Sequence, residues 1–231
     1  MDIYNCDCFT GMKKLNDKSI DLILTDPPYM ISRETNFSKG GGDQRKYGKL
    51  TMDFGEWDRC EGVDMEAFFK EAYRLLKKGG TIIMFYDIYK MESIKNIAEK
   101  IGFKQPRIGF WNKTNAVPVN ARINYLSNAR EYFISFCKGK KGIFNSYYDK
   151  GVYDYPIVNG KKRIHPTQKP VELMCNLIRV HSNIGDVVFD PFSGSGTTAI
   201  AAFAEERKYI GFEIDKTYYD NSIKRIGSIL M

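Results

Sequence analysis

The chain has no apolar run approaching the roughly 20 residues that cross a bilayer, so no membrane-spanning helix is expected. Its first residues, Met1-Asp2-Ile3-Tyr4-Asn5, lack a signal-peptide pattern. The five cysteines, at 6, 8, 60, 137 and 175, are odd in number and follow no framework spacing. That excludes a disulfide-stapled scaffold and points to reduced thiols in a cytoplasmic setting. Cys6 and Cys8 stand too close together, and too far from other soft ligands, for zinc, so no metal site is expected. Histidine is scarce, with two in the chain, and His165 reads as a loop residue without a proton-transfer role. No internal repeat or low-complexity tract is present. Acid is short relative to base, 28 residues against 35, for a net charge of +7.

What is there fits one large globular domain, 1–231, with chain enough for a substantial core. Strand and helix signals alternate, which predicts a largely parallel sheet covered on both faces. Strands are expected at 21–25, 81–86, 131–136, 186–190 and 208–213. Met65, Phe68, Phe69, Ala72, Leu75 and Leu76 fall on one helical face, with Asp64 as N-cap and Gly79 as the stop. Further helices are expected around 94–101, ended by Gly102, from Pro170, and at the C-terminus, with Asp215 as its cap.

The basic charge is concentrated. Segment 137–164 carries Lys138, Lys140, Lys141, Lys150, Lys161, Lys162 and Arg163 against Asp149 and Asp154. Phe144, Tyr147, Tyr148, Tyr153 and Tyr155 are interleaved with them. Lysines beside aromatics suit a surface that tracks phosphates and contacts bases; a solvated loop is the plainer alternative. A second segment, 31–50, is basic from Arg33 to Lys49 around three glycines and reads as a mobile loop.

Two strand ends carry chemistry. Asp26-Pro27-Pro28-Tyr29 follows the apolar strand at 21–25, at the edge where open α/β sheets bind ligands. Proline offers a carbonyl and no N–H, so the turn presents a carboxylate, bare carbonyls and a flat ring. Such a set can grip an exocyclic amine on a planar base; a strand that merely stops at a Pro-Pro turn is the alternative. The second is Val187-Val188-Phe189-Asp190-Pro191-Phe192-Ser193-Gly194-Ser195-Gly196-Thr197, a strand, a tight glycine turn and a helix start. Glu213 ends the next strand, where an acid can accept from ribose hydroxyls.

That second pattern matches the dinucleotide fingerprint literally. However, only 35 residues follow Gly196, too few for the remaining strands of a dinucleotide fold. The sheet must then be circularly reordered, with its cofactor half written last and the two strand-end sites side by side. NAD would leave the Asp-Pro-Pro-Tyr turn unexplained, whereas S-adenosylmethionine has the ribose, the adenine and a methyl group to give.

With these motifs in this order, the chain resembles the beta class of DNA amino-methyltransferases, which act on adenine N6 and in some members cytosine N4. Its fold implies a doubly wound, mostly parallel seven-stranded α/β sheet of the S-adenosylmethionine-dependent methyltransferase type. The resemblance covers nearly the whole chain and implies roles residue by residue. Asp26, Pro27, Pro28 and Tyr29 match the catalytic motif. Asn5-Cys6-Asp7-Cys8 stands where the family has a Gly-Asp-Cys-like turn, with Cys6 in place of glycine, and implies Asp7 and Cys8 at the cofactor adenine. His165-Pro166-Thr167-Gln168-Lys169-Pro170 implies Thr167 and Lys169 at the methionine end. Asp190, Phe192, Ser193, Gly194, Ser195, Gly196 and Thr197 match the cofactor turn, and Glu213 the ribose-binding acid.

The resemblance implies a partner, double-stranded DNA, read by segment 137–164 with help from 31–50. A reader so short suggests a short target or a homodimer, and a cognate restriction enzyme is left open. Aspartate at position 26, where cytosine-N4 enzymes commonly have serine, favours adenine. A cytosine-C5 enzyme needs a cysteine nucleophile, typically after proline, and no cysteine here follows one. RNA-base and protein-glutamine methyltransferases use similar turns but generally place the glycine motif first. A DNA-binding module without activity is the remaining alternative.

Overall fold

The computed structural model describes residues 1–28, 63–116, 129–158 and 168–230. Met1–Pro27 and Asp64–Met231 form one compact unit, and Pro28–Val63 a second that lies almost wholly outside the described residues. Within the first, eight strands form one sheet: β1 (Asp2–Asn5), β2 (Ile20–Thr25), β3 (Leu76–Phe85), β4 (Lys104–Lys113), β5 (Arg130–Cys137), β6 (Val152–Tyr155), β7 (Val187–Asp190) and β8 (Lys208–Glu213). Their order is β1-β8-β7-β2-β3-β5-β4-β6. Only β5 runs against the rest.

The doubly wound, mostly parallel α/β architecture is as expected, but the sheet has eight strands rather than seven. The unanticipated members have weak local signals. β4 contains Pro106 and Gly109 and is half exposed, and β6 lies inside the segment read as a basic loop. β1 pairs with β8, so the first strand of the chain lies beside the last. From β2 the sheet grows one way through β3, and from β7 the other way through β8. The boundary between β2 and β7 is therefore a topological switch point, where such sheets open a crevice for ligands.

Every residue of β2 is buried, as a central strand covered on both faces requires. Leu22 and Leu24 face one side with Ile83, Phe85, Phe133 and Val188, against Leu173, Met174 and Leu177 of α4 (Val171–His181) and Ala199 to Ala202 of α5 (Thr197–Ala204). On the other face Phe136 meets Phe69 of α2 (Met65–Leu75) edge-on, their centroids 5.9 Å apart. There α2 packs on α3 (Met91–Ile101) and on the short α1 (Cys8–Met12). α6 (Lys216–Leu230) closes the chain against β1 and β8.

Helix ends follow local chemistry. Asp64 caps α2 by accepting from Ala67 N at 3.0 Å, Gly102 ends α3, and Asp215 accepts from Tyr218 N at 2.9 Å at the start of α6. Gly79 is not the stop of α2. That helix ends at Leu75 and the chain turns directly into β3, so Gly79 lies inside the strand, where its N–H donates to Lys138 O. Among the described residues no helix is long and apolar enough to cross a membrane, and no cluster of potential metal ligands occurs.

Candidate functional site

The C-terminal ends of β2, β7, β8 and β1 are stitched together. The Thr25 hydroxyl donates to Asp190 Oδ1 at 2.7 Å. Ser193 N donates to Phe212 O at 2.8 Å and Cys6 N to Glu213 O at 3.1 Å, while Asn5 Nδ2 donates to the Glu213 and Ile214 carbonyls. Asp26 and the glycine turn, 165 residues apart in sequence at Thr25 and Asp190, therefore share one edge.

The glycine turn divides into braces and an open face. Asp190 uses both oxygens internally: Oδ1 also accepts from Phe192 N at 3.1 Å, and Oδ2 from the Thr198 hydroxyl at 2.7 Å. Burial pushes its carboxyl up to about 6, against those three hydrogen bonds, and Asp26 adds to the rise. Ser193 Oγ pairs with Tyr209 Oη at 2.9 Å, and Ser195 Oγ with Thr197 Oγ1 at 3.0 Å. Arg225 of α6 donates to Ser195 O and Thr197 Oγ1, both at 2.9 Å. These side chains hold the turn from within, leaving main chain for a ligand.

Gly196 caps α5 with φ +71. A Cβ there would meet Ile226 Cδ1 at 2.9 Å and Ser222 Cβ at 3.2 Å, so only glycine fits this close approach. Glu213 is aimed by two backbone donors, Gly194 N on Oε2 and Asp215 N on Oε1, each at 2.8 Å. Burial raises its carboxyl from the usual range, and the two N–H groups oppose that rise. Each oxygen keeps a lone pair for a hydroxyl. A fixed carboxylate beside a glycine-exposed main chain fits the ribose of a nucleoside, so the residues present suit S-adenosylmethionine. Asp7 caps α1 by accepting from Thr10 N at 2.9 Å, a structural duty beside its expected one. Cys8 is buried, and burial pushes its thiol up to about 12, so it packs as a neutral group.

Asp26 lies just past β2. Its Oδ2 is ion-paired with Lys169, whose ammonium is also 3.0 Å from Glu131 Oε2. Glu131 Oε1 in turn pairs with Lys113 at 2.7 Å. Lys169 is 5% exposed and stands 4.9 Å over the Phe85 ring. The other Asp26 oxygen, Oδ1, is buried with no hydrogen-bond partner among the described residues. Burial raises the Asp26 carboxyl, Lys169 pulls it down, and the Glu131 charge lifts it again. Burial raises Glu131 too, but Lys169 and Lys113 together outweigh it and hold that carboxyl below the usual range. A buried acceptor left without a donor costs about 1–3 kcal/mol, so Oδ1 is open to a donor from beyond the described residues.

Pro27 is buried beside Asp26, and Pro28 follows it. Tyr29 and Thr167 lie outside the described residues, as do 31–50 and 159–164. Of 137–164, residues 137–158 are described, and their first part sits away from Asp26. β5 runs antiparallel, so Cys137 ends at the opposite edge of the sheet. Lys138 Nζ there caps the carbonyl of Leu76 at 2.8 Å, and Asn145 N donates to Val180 O near the end of α4 at 2.7 Å. Tyr147 and Tyr148 are fully exposed on that side. The chain returns toward the site edge through β6, where Tyr155 pairs with Lys113. Residues 137–158 thus reach both edges of the sheet.

Glu131, Lys113, Thr25, Thr198 and Arg225 escaped the reading of the sequence. Thr25 and Thr198 flank the two motifs and could have been found there. Nothing local marks Glu131, because the reversal of β5 alone brings its first residues to the site edge.

A family model described as DNA methylase matches residues 20–224. The Type II methyltransferase M.HinfI of Haemophilus influenzae is 33% identical over 247 residues, covering 96% of this chain and 67% of that protein. M2.MboI of Moraxella bovis, also a Type II methyltransferase, is 30% identical over 247 residues, covering 99% and 88%. The crystal structure of the M1.HpyAVI–SAM complex superposes with a TM-score of 0.74 at 27% identity, covering 97% of this chain and 98% of that one. The PvuII DNA methyltransferase, described as cytosine-N4-specific, shares the fold with a TM-score of 0.73 at 22% identity, covering 98% and 90%. With its strand-end carboxylates, its glycine turn and a family match over nearly its whole length, the chain belongs to the DNA methylase family.

Proposed function

We propose that the chain transfers a methyl group from S-adenosylmethionine to the exocyclic N6 of adenine within a short sequence of duplex DNA. The observation that carries this reading is Asp26 Oδ1, a buried acceptor without a hydrogen-bond partner among the described residues, at the switch point of the sheet. S-adenosylmethionine, when bound, supplies an electrophilic methyl on a sulfonium. Glu213, Asp7 and the main chain of Phe192 to Gly194 and of Thr197 are the residues to hold it.

The adenine N6 lone pair is delocalised into the ring, so the amine must be rehybridised to react. Asp26 Oδ1 accepts one N–H and the Pro27 carbonyl the other, which favours a tetrahedral nitrogen with its lone pair aimed along the line of transfer. Pro28 keeps the turn rigid, and Tyr29 stacks on the base once flipped out, offsetting an unstacking cost of a few kcal/mol. Orientation and a preorganised acceptor supply the acceleration. No covalent enzyme intermediate is needed, and the amine proton leaves after the methyl arrives.

Aspartate at position 26 favours adenine over cytosine N4. Segment 137–164, whose β6 part Val152–Tyr155 runs toward the site edge, with segment 31–50, is the DNA-contacting part of the reading. Pairing with a cognate restriction enzyme accords with the Type II names of the relatives. Dimerisation would extend a short reader, and the cytoplasm is the compartment for such work. Incubation with labelled S-adenosylmethionine and duplex DNA, followed by nucleoside mass spectrometry, tests the reading. N6-methyladenine is expected; N4-methylcytosine, or label in ribosomal RNA and none in DNA, would overturn it.

A further inference from the structure

The four charged side chains beside the amine site form a line, Asp26, Lys169, Glu131 and Lys113, drawn from the end of β2, the turn before α4, the start of β5 and the end of β4. We infer that Glu131 and Lys113 are positioning residues for methyl transfer: Glu131, itself anchored by Lys113, draws Lys169 onto one oxygen of Asp26 and so leaves the other free for the amine. The inference rests on the reading of Asp26 as the amine acceptor.

Geometry and charge both support this division of the carboxylate. Lys169 is almost fully buried and has two carboxylates within reach. With Glu131 absent, its pull on the ammonium is lost, which eases a shift toward the middle of the Asp26 carboxylate, where it would cover both oxygens. With Glu131 present, the ammonium is shared, Asp26 Oδ2 is occupied, and Oδ1 has no donor among the described residues. Lys113 keeps Glu131 in place through its second oxygen at 2.7 Å, so Glu131 cannot itself turn to chelate Lys169. The four groups together are neutral when all are ionised, which limits the cost of holding them out of water.

Among the described residues, the charges facing Asp26 are Lys169, Glu131 and Lys113, together with Asp190 at the end of β7. Glu131 raises the Asp26 carboxyl and Lys113 lowers it. Asp26 accepts most strongly as a carboxylate and loses that strength when protonated, so activity falls as pH drops through its titration. Removing the Glu131 charge should move that acid limb to lower pH, and removing the Lys113 charge should move it to higher pH. A purely structural role predicts no such opposed pair.

Glu131→Gln and Lys113→Met are compared with the wild-type chain and Asp26→Ala, measuring kcat against pH on duplex DNA, the KM for DNA, S-adenosylmethionine binding by calorimetry, and Tm. Both positioning variants should lose roughly tenfold in kcat, within the range that misplacement of reacting groups produces. S-adenosylmethionine affinity and KM should stay within about twofold, and the acid limbs should shift in opposite directions. Glu131→Asp, which keeps the charge on a shorter stem, should restore the wild-type acid limb. Unchanged kcat and unchanged limbs in both variants, with Asp26→Ala inactive, would overturn the inference alone. So would a loss of kcat that only tracks Tm. Full activity in Asp26→Ala would instead overturn the reading beneath it.

Discussion

The Thr25 hydroxyl donates to Asp190 Oδ1 at 2.7 Å, which couples the residue before Asp26, the proposed amine acceptor, to the residue that begins the glycine turn. Both partners are buried. Thr25→Val keeps the shape and removes the donor, leaving Asp190 with two hydrogen bonds instead of three. Urea unfolding should show a loss of about 1–3 kcal/mol, together with weaker S-adenosylmethionine binding because the turn loses a brace. A variant as stable as the wild type would show that the bond does not hold the two strand ends together.

Asp190 carries a pH signature. Its folded-state carboxyl stands at about 6 against an ordinary 3.8. Because the folded value is raised, the contribution it makes to stability is fully present below about pH 4 and is lost as pH rises through about 6. Asp190→Asn preserves an acceptor for Thr25 and Phe192 and removes the titration. Relative to the variant, the wild type should therefore gain stability on going from pH 7 to pH 4, by on the order of 3 kcal/mol. Parallel stability curves for the two proteins would contradict the raised carboxyl.

How much was legible depended on whether a signal was local. Asp26 and the run from Asp190 to Gly196 are contiguous motifs, and their edge positions follow from the strands before them. α2 declared itself by apolar spacing and by Asp64. β4 and β6 did not, because they lie at the outer end of the sheet with half-exposed, polar or glycine-interrupted faces. How the lysines and aromatics of 137–158 are distributed was not legible for a related reason. Proximity in sequence was read as a shared surface, whereas the antiparallel direction of β5 sends Lys138 to one edge and Tyr155 lies near the other. The same reversal brings Glu131 to the site, invisible until the sheet order is known.

Gly196→Ala should be the more damaging of two glycine substitutions. It adds the left-handed strain of roughly 1–2 kcal/mol to a Cβ pressed against Ile226 at 2.9 Å. Gly185, with φ +82 and nothing within 4 Å of an added Cβ, carries the strain alone. Thermal unfolding should rank Gly196→Ala below Gly185→Ala, and only the former should weaken S-adenosylmethionine binding. Equal effects would mean that the close approach to α6 does not shape the turn.

Arg225 reaches the glycine turn from α6 through Ser195 O and Thr197 Oγ1. Arg225→Met retains the apolar stem and deletes both donors. S-adenosylmethionine affinity should fall about tenfold, the equivalent of one charge-assisted hydrogen bond, with little change in the KM for DNA. An unaltered affinity measured by calorimetry would leave Arg225 without a part in shaping the turn.

The central claim is that Asp26 grips the amine while other residues hold the methyl donor. Asp26→Ala separates the two directly. Calorimetry should show S-adenosylmethionine binding largely intact, and transfer of label to adenine in duplex DNA should be abolished. Full transfer by the Asp26→Ala protein would contradict the account.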